Sequence, residues 1–297
     1  MTWCGHRTRS PPRIPLLSGE ALELARLNVL VGTLACGEGD LPSCLRALRE
    51  QDHPFEHVLI ENQTEAEAHR RLYRRFHESD ADILVKVDAD MVLVNAGIVR
   101  FIVGRMEETG SPNVLHMVDD FFTCRPIGGL LTVTQEMRYD IEGIGEHDLY
   151  PDRRYAKAGL GKEELAARKR VFGEVVARHA HECTDLQAFH YGYHRWLKQQ
   201  YAICARVGDC LRAYPHETRR GWACLGMVAA SEHPDPRAAS YGAALDALAA
   251  QAGARVHALD VPGILRLLEL RLRRVGHAPA GDGGAADEKL RPAIVPA

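Results

Sequence analysis

The chain has 297 residues, 46% of them apolar and 26% charged, with 37 Lys plus Arg against 40 Asp plus Glu and a formal net charge of −3. This is ordinary globular composition, and so even a balance offers no footprint for gripping nucleic acid; any anionic ligand must be held locally. No stretch reaches the roughly 18 uninterrupted apolar residues of a membrane span, no apolar h-region follows the N-terminus, and the eight cysteines include no C-x-x-C pair, so a cytoplasmic protein with reduced thiols is expected.

Residues 1–26 turn from Pro- and Arg-rich to Leu-rich and read as a leader. Asn28–Thr33 predicts a buried strand. Gly37, Gly39 and Asp40 then turn into a helix with Leu41, Cys44, Leu45 and Leu48 at helical spacing, Asp40 standing where a cap would. His57–Ile60 predicts a second strand, and Thr64 with Glu67 forms a capping-box pattern before a helix that carries Ala68, Leu72 and Phe76 on one face. A third strand is expected over Asp82–Leu93, with Asn95 capping a helix of Ile98, Ile102 and Met106, and a fourth over Asn113–Val118.

Strand alternating with helix, through connections too long for hairpins, predicts an α/β fold with a mostly parallel sheet flanked by helices. From Gly128 a further strand is expected, followed by helical patterns around Lys162–Ala180, Leu186–Gln200, Arg237–Ala252 and Pro262–Val275. The expected organisation is a leader at 1–26, a catalytic domain at 27–205, a helical C-terminal extension at 206–275 and a disordered tail at 276–297.

The chemistry is concentrated at Asp88 and Asp90. In an extended segment side chains alternate faces, so two carboxylates separated by Ala89 point the same way. They close a strongly apolar strand, and parallel α/β sheets bind ligands outside the carboxyl ends of their strands. Two like charges so placed call for a cation. Mg²⁺ or Mn²⁺ accepts such oxygens and shares them with substrate phosphates. A D-x-D elsewhere in a chain would read as two solvated turn aspartates; its position at the end of an apolar strand favours the metal. Lys86, two residues upstream, either faces the same pole and favours a diphosphate or is a strand lysine that snorkels to solvent.

The succession N-V-L-V-G-T, H-V-L-I-E-N-Q-T and I-L-V-K-V-D-A-D-M-V-L resembles a GT-A glycosyltransferase of the broad family 2-like group, over roughly Asn28 to Val133. The resemblance implies that Asp88 and Asp90 form the D-x-D motif, Asp90 binding the Mn²⁺ or Mg²⁺ that bridges the diphosphate of a nucleotide-sugar donor. It places Thr33 against the base, and Glu61 where the family has Asp, contacting base or ribose. Many such enzymes add a metal ligand from the C-terminal half, here the segment His179–Lys198 with His179, His181, His190 and His194. His181 is chosen because H-x-x-x-x-x-Q-A-F resembles a closing motif. Asp185, in a degenerate version of the family's E-D pair, and Asp120 are the candidates to take a proton from an acceptor hydroxyl.

The implied activity is metal-dependent transfer of a sugar from a nucleotide diphosphate to an acceptor hydroxyl, with retention or inversion left open. One rival is a methyltransferase using S-adenosylmethionine, suggested by L-A-C-G-E-G-D-L at Leu34–Leu41, but Ala35 replaces its first glycine and Asp88 and Asp90 would have no role. Another is an inactive module that only binds a nucleotide sugar. The Leu- and Arg-rich helix of residues 262–275 would cover the core, pair with another subunit or touch an anionic membrane surface.

Overall fold

The computed structural model describes residues 27–154, 169–235, 246–251 and 261–277. The expected leader and most of the expected tail lie outside the described residues, as does most of the helical pattern at Arg237–Ala252, of which 246–251 is helical.

The strands are β1 (Val29–Ala35), β2 (Glu56–Glu61), β3 (Ile83–Asp88), β4 (Met91–Leu93), β5 (Asn113–Asp120), β6 (Arg125–Thr134) and β7 (Arg170–His179). They form one sheet in the order β2-β1-β3-β6-β5-β7-β4. The expected α/β class holds, but the sheet is mixed. β1 lies parallel to β2 and β3, and β5 to β7, whereas β6 is antiparallel to β3 and β5, and β4 to β7.

Helices α1 (Leu41–Arg49), α2 (Glu65–Glu78) and α3 (Ile98–Thr109) cover the sheet. The pleat divides the β1 and β3 side chains between two cores. Val29, Val31, Ile83, Val85 and Val87 pack with α1 and α3, while Leu30 and Leu84 pack with Leu72, Tyr73 and Phe76 of α2. At the start of α2 Thr64 accepts a hydrogen bond from the Glu67 amide, as its spacing predicts. Asp40 precedes α1 but makes no side-chain cap. Asn95 accepts from the Gly97 amide, and Gly97 itself is the cap residue of α3.

Two expectations are corrected. The run Asp82–Leu93 is two strands rather than one: it breaks at Ala89–Asp90, and Met91–Leu93 crosses to the far edge of the sheet beside β7. The helical pattern that ended at Ala180 gives way to strand β7, because Val171, Val175 and Val176 are β-branched and β5 and β4 supply partners on both sides. Pairing and packing override weak helical propensity here.

Beyond the sheet, α4 (Asp185–Leu197), α5 (Tyr201–Ala213), α6 (Thr218–Glu232) and α7 (Val261–Arg274) form a helical core with Phe121 and Phe122. The division expected at residue 205 falls inside α5. Glycines let α4 and α6 approach backbone to backbone: a Cβ on Gly192 would lie 1.8 Å from the Ala223 carbonyl oxygen, and one on Gly226 2.0 Å from that of Phe189. Helix α7 packs Ile264, Leu265, Leu268 and Leu272 into this core and leaves Leu270 outside. Among the described residues no helix is long and apolar enough to cross a membrane.

Candidate functional site

Parallel pairing brings the carboxyl ends of three strands together, with Leu34 opposite Asp88 and Ala35 opposite Glu61. The loop after β1 is stitched to the start of α4. Gln187 accepts from the Thr184 amide at 2.7 Å and donates to the Gly37 carbonyl at 2.8 Å. Gly39 is required by the same contact, since a Cβ there would sit 2.4 Å from the Glu182 carbonyl oxygen.

Asp88 and Asp90 have different neighbours. Asp88 shares the α2 face of β3 with Lys86, whose ammonium is 3.0 Å from Asp88 Oδ1 and 3.3 Å from Asp152 Oδ2. Lys86 is buried, while both carboxylates are partly open to solvent. Burial opposes the lysine charge, but Asp152 and Asp88 outweigh it and hold the ammonium above the ordinary lysine range. Asp152 is held well below the carboxylate range, Lys86 and His69 overcoming its desolvation.

Asp90 follows the end of β3, and its carbonyl accepts from the Ala180 amide at 2.8 Å. Its Oδ2 lies 3.1 Å from His179 Nε2, and His179 Nδ1 lies 2.7 Å from Asp120 Oδ1. The other Asp120 oxygen accepts from the Thr123 amide at 2.7 Å. Burial would discharge His179, yet the flanking Asp90 and Asp120 raise its pKa to about 10. Asp90 and Asp120 are in turn lowered, desolvation being outweighed chiefly by His179.

Two carboxylate oxygens in this region are buried without a hydrogen-bond partner among the described residues, Asp90 Oδ1 and Asp40 Oδ2. Asp40 is 1% exposed. Its Oδ1 accepts from the Glu182 amide at 2.9 Å, and desolvation, with the charges of Asp90 and Glu182, raises its pKa to about 6. Glu38 is also raised, by burial first and then by both Asp90 and Asp88, so the D-x-D carboxylates act on one loop.

The other expected residues are distributed as follows. Thr33 is fully buried on the α1 and α3 face, opposite in the pleat to Asp88, with Oγ1 3.0 Å from His57 Nε2. Glu61 is exposed at the end of β2. His181 lies 3.3 Å from the Asp119 carbonyl oxygen, and its ring meets Phe121 edge-on. The imidazole beside Asp90 is that of His179. Asp185 is exposed in the first turn of α4, where negative charge suits a helix N-terminus.

Residues missed in the sequence are Asp152 and Asp40 in its present role. Asp152 follows an irregular segment with no periodic signal, and Asp40 matches an ordinary capping pattern, so neither was distinguishable.

Among the described residues no three His, Cys, Asp or Glu side chains converge tightly enough to hold an ion unaided. The donor set nonetheless suits a divalent cation that keeps other ligands. It contains two unpartnered buried carboxylate oxygens, Asp90 Oδ1 and Asp40 Oδ2, and an imidazole oriented by a second carboxylate.

No family model matches the chain, and no curated protein matches it. Solved structures match it over about half to most of its length. The mannosyltransferase PcManGT from Pyrobaculum calidifontis, in complex with GDP-Man and Mn²⁺, is 14% identical with a TM-score of 0.40, over 84% of this chain and 87% of that one. TarS 1-349 from S. aureus is 12% identical with a TM-score of 0.34, over 84% and 92%. A197 from STIV is 14% identical with a TM-score of 0.34, over 52% and 85%.

Proposed function

We propose that the protein is a metal-dependent glycosyltransferase that moves a sugar from a nucleotide-diphosphate donor to an acceptor hydroxyl. The observation that carries this is the anionic pole at the ends of β1 and β3, where Asp90 keeps a buried unpartnered oxygen. An unpaired buried carboxylate oxygen is costly, and a cation removes the cost. Asp88 and Asp90 would hold Mn²⁺ or Mg²⁺, and His179 would join them only by giving up the Nε2 proton that faces Asp90; the cation would offset the charge gathering on a departing diphosphate. Asp120 would orient His179 through Nδ1, a role its two engaged oxygens suit better than taking a proton. Asp185, open to solvent at the start of α4, would accept the hydroxyl proton. Glu61, exposed at the end of β2, would meet the nucleoside, whereas Thr33 is fully buried against His57 and would support that strand end from behind.

The experiment is calorimetric titration with GDP and UDP, with and without Mn²⁺, on the unaltered protein and on Asp90→Ala. Loss of Mn²⁺-dependent affinity in a variant that still melts cooperatively is expected. Undiminished Mn²⁺-dependent affinity would refute the site.

A binding-only reading draws on the same geometry, because Lys86 and His179 already offset part of the charge of the pair. Release of sugar from a donor in the presence of Mn²⁺ separates an enzyme from a binding module.

A further inference from the structure

Lys86 has two carboxylate partners where one would neutralise it. Asp88 comes from its own strand, two residues on; Asp152 comes from a single 3₁₀ turn, Pro151–Arg153, reached only after β6. The lysine is 7% exposed. A buried ammonium without a counter-ion is strongly disfavoured. Asp88 is therefore free to leave Lys86 only if another carboxylate stays behind.

Asp152 is built to stay. The Tyr73 hydroxyl donates to its Oδ1, and His69 Nε2 lies 3.3 Å from the same oxygen without completing a hydrogen bond to it. Tyr73 is fully buried and stacks on Tyr139 with ring centroids 3.6 Å apart and planes within 1°. No comparable clamp holds Asp88 among the described residues: the two carboxylates are about equally exposed, at 38% and 37%, but the side chain of Asp88 meets Lys86 alone.

We propose that Asp152 is a positioning residue: it retains the Lys86 ammonium so that Asp88 can exchange that partner for the divalent cation that accompanies the donor's diphosphate. The inference rests on the reading of Asp88 given above. Without the charge of Asp152, Asp88 becomes the sole anchor of a buried cation and is withheld from the ligand. Without Lys86 as well, Asp88 has nothing to hold it back.

The test is a double-mutant cycle read as GDP and UDP affinity in MnCl₂, together with Mn²⁺ affinity by electron paramagnetic resonance. The proteins are the unaltered chain, Asp152→Asn, Lys86→Met and Lys86→Met/Asp152→Asn. Asp152→Asn is expected to weaken Mn²⁺-dependent affinity by about 10- to 100-fold, the range for groups that orient a ligand. The double variant is expected to recover most of that loss. A merely structural Asp152 would leave the double variant at least as weak as the single one, and that result overturns the proposal. Tyr73→Phe loosens Asp152 without changing charge; it is expected to lower affinity in the same direction by less, and it serves if Asp152→Asn does not fold. Unaltered protein that binds with Mn²⁺, paired with an Asp152→Asn variant of equal affinity, overturns this inference alone. Absence of Mn²⁺-dependent binding in the unaltered protein overturns the reading of Asp88 and the inference with it.

Discussion

Asp40→Asn should gain stability relative to the parent protein as pH rises from 4 to 8. Asp40 is 1% exposed, with one oxygen on the Glu182 amide and the other without a partner among the described residues. Its pKa rises from 3.8 to about 6, through desolvation first and then the charges of Asp90 and Glu182. A carboxyl raised in the folded state binds its proton more tightly there, so its contribution is complete below about pH 3.8 and is lost as pH climbs through about 6. At about 1.4 kcal/mol per unit, the cost of ionising Asp40 grows from about 0.5 kcal/mol near pH 4 to about 3 kcal/mol above pH 7. Asparagine keeps the acceptor for Glu182 and cannot ionise. The amide it introduces costs the same at every pH, so the slope is the readout, not the offset. Urea unfolding of both proteins from pH 4 to pH 8, in chelator, measures it. A stability difference that stays flat with pH would refute the reasoning.

His179→Gln leaves Asp90 and Asp120 without their shared cation and should cost about 3–5 kcal/mol at pH 7. Because the His179 pKa is raised to about 10, its contribution is whole below about 6.5 and disappears as pH passes 10, so variant and parent should converge there; an equal gap in urea unfolding at pH 7 and pH 10 contradicts this. Gly226→Ala drives a methyl into the Phe189 carbonyl at the crossing of α4 and α6 and should lower stability by about 1–3 kcal/mol or more; an unchanged thermal midpoint would show that the helices yield. His116 is fully buried between Phe101 and Phe172, and neither ring nitrogen has a hydrogen-bond partner among the described residues. His116→Phe should therefore raise the melting temperature, and a fall would point to a polar contact at that ring.

The first half of the fold was legible in sequence because its signals are local. Apolar runs bounded by Gly, Asn and Asp gave β1, β2, β3 and β5, and helical spacing gave α1 to α3, down to the Thr64 cap on the Glu67 amide. The same logic placed Asp88 and Asp90 at a strand end. It did not reach the break at Ala89, since hydropathy continues through Met91–Leu93 while the hydrogen-bonding partner changes from β1 to β7. Helices α5 and α6 were expected only as part of a helical extension and not as separate elements, because small residues on several faces blur the apolar stripe.

Chain order alone determined which side chains the Asp88–Asp90 segment carries and that the segment ends a buried strand. Only the folded chain decided their company, since charge partners are chosen by proximity in space: Lys86 and Asp152 around Asp88, His179 and Asp120 behind Asp90, Asp40 turned away from its helix. Asp152 lies 64 residues from Asp88 in number and one ammonium away in space. Periodicity reports a residue's own element and face; the neighbour across the sheet is set by strand pairing and helix packing, which no local pattern encodes.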